Sequence, residues 1–226
     1  MPVRNLRGEE VPVGKVTRTL AYHAMTQTVT PDWVTVVGAA SETKDDVAAG
    51  RGECHLAVTG DVGGYQLPAF DPTAFRELRL RAALRHDMSD GATMLFGFRE
   101  GAGIESPERW CYYRESGETR DRRGGAVSCG QLWYGNDGAD YETGDVTIVL
   151  DGSDGCTILE VRVRPFERGV TVAIDGADRG NVIYEEADEP FTFDGPIYPQ
   201  VLIEAPGSDR RERLSFATLE LDAIHN

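Results

Sequence analysis

Residues 169–180 read GVTVAIDGADRG. Val170, Val172 and Ile174 alternate with Thr171, Ala173 and Asp175, the period of a strand with one apolar face. Asp175-Gly176 follows, a pair that tolerates positive φ and closes a two-residue hairpin. This turn chemistry makes Asp175 a turn residue rather than a catalyst. The stretch before it, CTILEVRVRP (156–165), and the stretch after it, RGNVIYEE (179–186), read as further strands.

Working outward, the pattern recurs along the chain. Candidate strands lie in KVTRTLAYHAMTQTV (15–29), DWVTVVG (32–38) and GECHLAVTG (52–60), with the polar stretch ASETKDDVAAGR read as a loop between the last two. FDPTAFRELRLRAALRHD (70–87) opens with Asp71-Pro72, a helix start. Its leucines, however, alternate with arginines at period 2, which predicts one helical turn at 72–75 and then a long strand. Further strands are predicted in 91–100, 108–116, 126–135, 145–150, 196–205 and 212–224. About a dozen short strands joined by Gly-, Asp- and Pro-rich turns define an all-β fold, an antiparallel jelly-roll sandwich. Residues 1–15 show no period and read as an N-terminal extended arm; residues 16–226 read as the sandwich domain.

Charge narrows the function. The 38 acidic residues outnumber the 23 basic ones, for a formal charge of −15. Such a surface repels phosphate backbones and anionic headgroups, so neither nucleic acid nor membrane is an expected partner. Only Lys15 and Lys44 are lysines. That imbalance fits a halophilic, acidic protein, whose self-repulsion is screened at a Debye length of about 3 Å in 1 M salt; a GC-rich genome is the plainer explanation. Cys54, Cys111, Cys129 and Cys156 form no C-x-x-C pair, so zinc is not expected. Cys111 and Cys129 can meet if their segments form a hairpin; buried free thiols are the alternative.

Three stretches carry a resemblance. GECHLAVTGDVGGYQL with FRELRLRAALRHDMSDGATMLFGFRE, then LEVRVRPFERGVTVAIDGADRG, then PQVLIEAPGSDRRERLSFATLELDAI resemble, in order, an early strand pair, an internal hairpin and a closing pair. The family they resemble is the concanavalin A-like lectin/glucanase fold, laminin-G-like domains included. The likeness spans residues 20–226 and implies that the last strand returns beside the first. It also implies two kinds of function, glycoside hydrolysis and non-catalytic binding, between which fold cannot choose.

A retaining glycosidase needs two carboxylates about 5–5.5 Å apart. Glucanases of this fold carry them in a pattern like E-x-D-x-x-E, and the nearest match is ELDAIH, with Glu220 and Asp222 on one strand face and His225 where the second glutamate belongs. Glu220 and Asp222 are therefore weak catalytic candidates. His23, His55, His86 and His225 sit in four different candidate strands, and no serine lies in G-x-S-x-G. The loops NDGADYETGD (136–145) and DGSDG (151–155) offer Asp137, Asp140 and Asp145 as weak metal candidates. Calcium is the ion such oxygens suit, though the calcium-loop spacing is not met.

Aromatic residues concentrate in RWCYYRES and QLWYGNDGADYE. Sugar rings stack on such side chains while polar groups read their hydroxyls. Trp110, Tyr112, Trp133, Tyr134 and Tyr141 are the expected exposed set, with Arg114, Asn136 and Asp137 beside them; rings that simply fill the sandwich are the alternative. The start MPVRNLRGEEVPVGK carries charge at both ends and does not read as a secretory signal. Together these features predict a non-catalytic module on a surface assembly, a virion or tail component, that binds glycan or cell-surface polysaccharide. Residues 1–15 would contact neighbouring subunits, in a homo-oligomer or a larger assembly. A glycoside hydrolase or lyase, and a ligand-free structural protein of the cytoplasm, are the alternatives.

Overall fold

The computed structural model describes residues 3–4, 10–11, 17–23, 31–44, 54–89, 91–104, 109–116, 129–136, 139–142, 146–147, 157–164, 169–174, 177–183 and 193–225. They form β1 (Val3–Arg4), β2 (Glu10–Val11), β3 (Thr17–His23), β4 (Thr35–Lys44), β5 (Cys54–Gln66), β6 (Phe75–Asp87), β7 (Thr93–Glu100) and β8 (Arg109–Ser116). The second half adds β9 (Cys129–Asn136), β10 (Ala139–Glu142), β11 (Val146–Thr147), β12 (Thr157–Arg164), β13 (Gly169–Ile174), β14 (Ala177–Ile183), β15 (Ile197–Glu204) and β16 (Glu212–His225). Within the arm, β1 and β2 pair antiparallel with each other, apart from the main sheet.

The main sheet runs β10-β9-β8-β7-β15-β5-β16-β6-β12-β13-β14, with β4 beside β5, β3 beside β16 and β11 beside β9. It folds into two layers along β5. Cys54–Val58 pair with β16, whereas Val62–Gln66 pair with β15. The layers close on one core. Met94, Phe96, Phe98, Tyr113, Val201 and Ile203 come from the β7-β8-β15 half, and Leu78, Leu80, Leu84, Leu159, Phe216 and Leu219 from the β6-β12-β16 half. Tyr65 and Phe216 join them ring to ring, 5.8 Å between centroids. This is an antiparallel jelly-roll β-sandwich.

Several sequence expectations reappear as geometry. A single 3₁₀ turn at Pro72–Ala74 precedes β6, capped by Asp71, which accepts from Thr73 N–H at 2.9 Å. Alternation then buries Leu78, Leu80, Ala82 and Leu84 and leaves Arg81 exposed, so the period and not the Asp-Pro start decides the element. In the opening hairpin Ile174 stands opposite Ala177, the register a two-residue connection requires. The last strand lies beside the first long one: Leu221 of β16 faces Leu20 of β3.

Other expectations fail for identifiable reasons. The stretch read as a loop after residue 38 continues as β4 to Lys44, past a register shift between Gly38 and Ala40. β4 lies on the outer edge of β5, and its last four residues, Ser41 to Lys44, are all polar, which disguises the strand. β5 likewise runs on to Gln66. The segments of Cys111 and Cys129 are adjacent strands, yet Cys111 stands opposite Tyr134, and Cys129 lies opposite Thr147 on the other flank of β9. Cys111 is a buried free thiol. No helix among the described residues is long and apolar enough to cross a membrane.

Candidate functional site

Each half of the sandwich has an outer face, and the two differ in kind. On the β16-β6-β12 half, register rows bring charges together: Asp222, Arg79 and Arg162 in one row, Glu220, Arg81 and Glu160 in the next. Arg162 pairs with Glu160, Arg79 and Arg164 both hold Glu77, and Arg81 lies 3.8 Å from Glu220. Burial alone would raise the Glu77 carboxyl; the hydrogen bonds from Arg164 and Arg79 outweigh it and hold it below the usual range. Glu220 and Asp222 do share a face, as alternation requires. Both lie in this lattice of alternating charges, where Glu220 faces Arg81.

The outer face of the β8-β7-β15-β5 half is built otherwise. Directly opposed residues share a face, which fixes three rows. One runs Trp110, Arg99, Tyr198; the next Tyr112, Gly97, Gln200, Gln66; the third Arg114, Leu95, Leu202, Gly64. Although this side points away from the core, Leu95, Trp110, Tyr112 and Leu202 are buried in a cluster of their own, with Val37 and Ile104 packed on it. Arg99 and Gln200 are buried as well.

The polar groups here form one network. Gly103 N–H donates to Gln66 Oε1 at 2.8 Å. Gln200 Nε2 donates to Gln66 Oε1 at 2.9 Å and to Gly103 O at 2.8 Å, and Arg99 Nη1 donates to the same Gly103 oxygen at 2.8 Å. Tyr112 Oη donates to Gln200 Oε1 at 3.0 Å. A backbone N–H can only donate, so Gln66 presents its oxygen, and Gln200 then presents its nitrogen; both amide orientations follow from the peptide. Gly97 permits the span. It lies between Tyr112 and Gln200 in their row, and a Cβ there would stand 2.2 Å from Cys111 O.

At the edge of this face Arg114 and Glu204 are half-buried. Burial pushes the Glu204 carboxyl above its usual range, and the Arg114 charge offsets part of that rise. Burial likewise pushes up the Tyr112 hydroxyl. A raised carboxyl with one cation nearby is a common mark of functional sites.

The sequence-predicted residues therefore divide. Trp110, Tyr112 and Arg114 share the face, and Trp133 stands opposite Tyr112 in register. Trp110 and Tyr112 are not the exposed rings expected: residues 101–104 fold back over them, with Ile104 against the cluster. Tyr134 stands opposite Cys111 and Tyr141 opposite Tyr134, so both fall on the alternate rows, and Asn136 stands opposite Arg109. Consecutive strand residues such as Trp133 and Tyr134 cannot share a face. Asp140 lies in β10, whereas Asp137 and Asp145 fall outside the described residues. Among the described residues no three His, Cys, Asp or Glu side chains gather as a metal site. Gln66, Arg99, Gln200 and Glu204 had no motif; their signal is a polar residue inside an apolar strand, as in GGYQL and PQVLIE.

No family model and no curated protein matches this sequence. Solved structures do match in fold. A glycoside hydrolase family 16 endo-glucanase from Bacteroides ovatus superposes with a TM-score of 0.62 at 10% identity, over 89% of this chain and 99% of that one. The carbohydrate recognition domain of Emp46p gives 0.57 at 10% identity, over 84% and 88%. The exoplasmic/lumenal domain of VIP36, in a form with Ca²⁺ and mannose bound, gives 0.53 at 12% identity, over 88% and 86%. The chain is thus a jelly-roll sandwich of the class that includes lectin domains and glucanases. Its fold is the concanavalin A-like one.

Proposed function

We propose that this protein is a glycan-binding module whose site is the outer face of the β8-β7-β15-β5 half. The observation that carries the reading is the composition of that face: Trp110 and Tyr112 as apolar walls beside oriented polar groups on Gln66, Arg99 and Gln200. Sites for polar ligands combine such walls with a few fixed donors and acceptors. Arg114 and Glu204, half-buried at the edge, are the groups a sugar would meet first. The fold neighbours include carbohydrate recognition domains, which supports the reading at the level of fold.

Binding is favoured over hydrolysis on one count. Among the described side chains of this face Glu204 is the single carboxylate, and a glycosidase needs two. A place on a surface assembly is the further part of the proposal; it rests on residues 1–15, whose β1 and β2 pair apart from the main sheet. The test is a glycan array in molar salt with wild type, Arg114→Gln and Trp110→Ala, each checked for folding by circular dichroism. Binding lost in folded Arg114→Gln is the expected result. Binding unchanged in both variants removes the site. Polysaccharide turnover abolished by Glu204→Gln would replace binding with hydrolysis.

A further inference from the structure

We propose that the loop 101–104 is a lid whose Gly103 backbone occupies the station of a sugar's vicinal diol. The inference deepens the glycan-binding reading and rests on it for the class of ligand. Three buried or half-buried side chains, from β5, β7 and β15, converge on one residue of a loop. Loop peptides ordinarily meet water, and nothing in the fold requires three strands to furnish partners for this one.

The pattern has a chemical complement. Gly103 offers a donor nitrogen and an acceptor oxygen at the two ends of N–Cα–C–O. A vicinal diol offers the same two-carbon spacing, O–C–C–O. One hydroxyl would donate to Gln66 Oε1 in place of the N–H. The oxygen of its neighbour would accept from Gln200 Nε2 and Arg99 Nη1 in place of the carbonyl. Hydroxyls do both, and adjacent ring hydroxyls of pyranoses supply the pair.

The loop is built to leave. Gly101 and Gly103 have φ of 81° and 91°, and nothing lies within 4 Å of a Cβ built on either. The backbone is therefore held by its hydrogen bonds and by Ile104, not by packing at the glycines. Ile104 is half-buried against the Leu95, Trp110, Tyr112 and Leu202 cluster. A ligand that needs the open face binds more weakly by the fraction of time the face is open.

The experiment uses the full chain and the variant Ile104→Gly, which loosens the lid and leaves the three polar residues intact. Amide exchange at Gly103 is measured by nuclear magnetic resonance, and both proteins are titrated with methyl α-D-mannopyranoside and with its 2,3-di-O-methyl derivative. Expected are faster Gly103 exchange in the variant, shifts of the Gln66 and Gln200 side-chain amides with the free sugar, affinity about tenfold higher than wild type, and no such shifts with the methylated sugar. Equal Gly103 exchange in both proteins would overturn the lid. Gln66 and Gln200 amides unmoved in the opened variant would overturn the diol station, and so would equal binding of the methylated sugar. Array binding lost in Arg114→Gln while those amides stay still would leave the glycan reading standing and this inference fallen.

Discussion

Replacing Gln200 by leucine tests the buried network, and its cost can be worked from the partners. Gln200 is fully buried, donates twice and accepts once. After the change Gln66 Oε1 keeps the Gly103 N–H, and Gly103 O keeps Arg99. The Tyr112 hydroxyl loses the acceptor it has on Gln200. A buried polar group that loses its partner costs about 1–3 kcal/mol, so Gln200→Leu is expected to cost about 2 kcal/mol. Tyr112→Phe instead removes the donor to Gln200 Oε1 and is expected to cost about 1.5 kcal/mol by the same rule. In the double variant the hydroxyl that lost its acceptor is gone as well, and the cost is expected at about 1 rather than about 3.5 kcal/mol, a coupling of about 2.5 kcal/mol. For a chain of this size each kcal/mol moves Tm by about 2–4 °C, so Gln200→Leu should melt about 4–8 °C below wild type. Urea unfolding of the four proteins in one buffer measures the cycle. Additivity within about 0.3 kcal/mol would refute the network, because independent sites add to that precision.

Other consequences can be checked in the same way. Burial alone would raise the Glu212 carboxyl, but hydrogen bonds from Ser89 and Ser208 outweigh it and hold it below the usual range. Its stabilisation is therefore present above the unfolded carboxylate value, about 4.3, and is lost as pH falls through the lower folded value. Wild type should lose stability between about pH 5 and 3 more steeply than Glu212→Gln, as read from Tm against pH; parallel curves would contradict this. Glu204 has the opposite sign. Its raised carboxyl costs stability once ionised, so Glu204→Gln should melt above wild type at pH 7 and level with it near pH 4. Cys111 is buried and its thiol is pushed up by that burial, so a thiol reagent should spare it in native protein and label it in urea, as peptide mass mapping would show. With a formal charge of −15 the fold should melt lower in tens of millimolar salt than in molar salt; an unchanged Tm would contradict the self-repulsion argument.

How much of this was legible in the sequence depends on range. Alternation is local, so β6 could be read through its misleading Asp-Pro start, and the Asp175-Gly176 turn could be read from two residues. Alternation also places Trp110 and Tyr112 on one face and Cys111 and Tyr113 on the other. It does not say what lies above a face. The burial of Trp110 and Tyr112 comes with residues 101–104 folding back, and that contact joins a loop to strands far away in the chain, as in the Gly103–Gln66 bond. The extension of β4 was hidden because its last residues, Ser41 to Lys44, are as polar as a loop. Gln66 and Gln200 carried no motif because each meets its partners only after β5 and β15 pair.

The two outer faces show where a site can be sought. On the β16-β6-β12 half, opposite charges alternate at an exposed or half-exposed surface; such pairs are worth little individually and demand no special fold. On the β8-β7-β15-β5 half, a guanidinium, two side-chain amides and a phenol are drawn into a partly apolar setting, where each is costly unless its partners are aligned. An all-apolar face under the loop would satisfy the fold with fewer constraints, since replacing both members of a buried polar pair can be nearly neutral. A raised carboxyl at the edge adds a stability cost of its own. Two separate constraints on one face are accounted for if that face handles a polar ligand, and the stability of the double variant and the Glu204→Gln melting curve measure them independently.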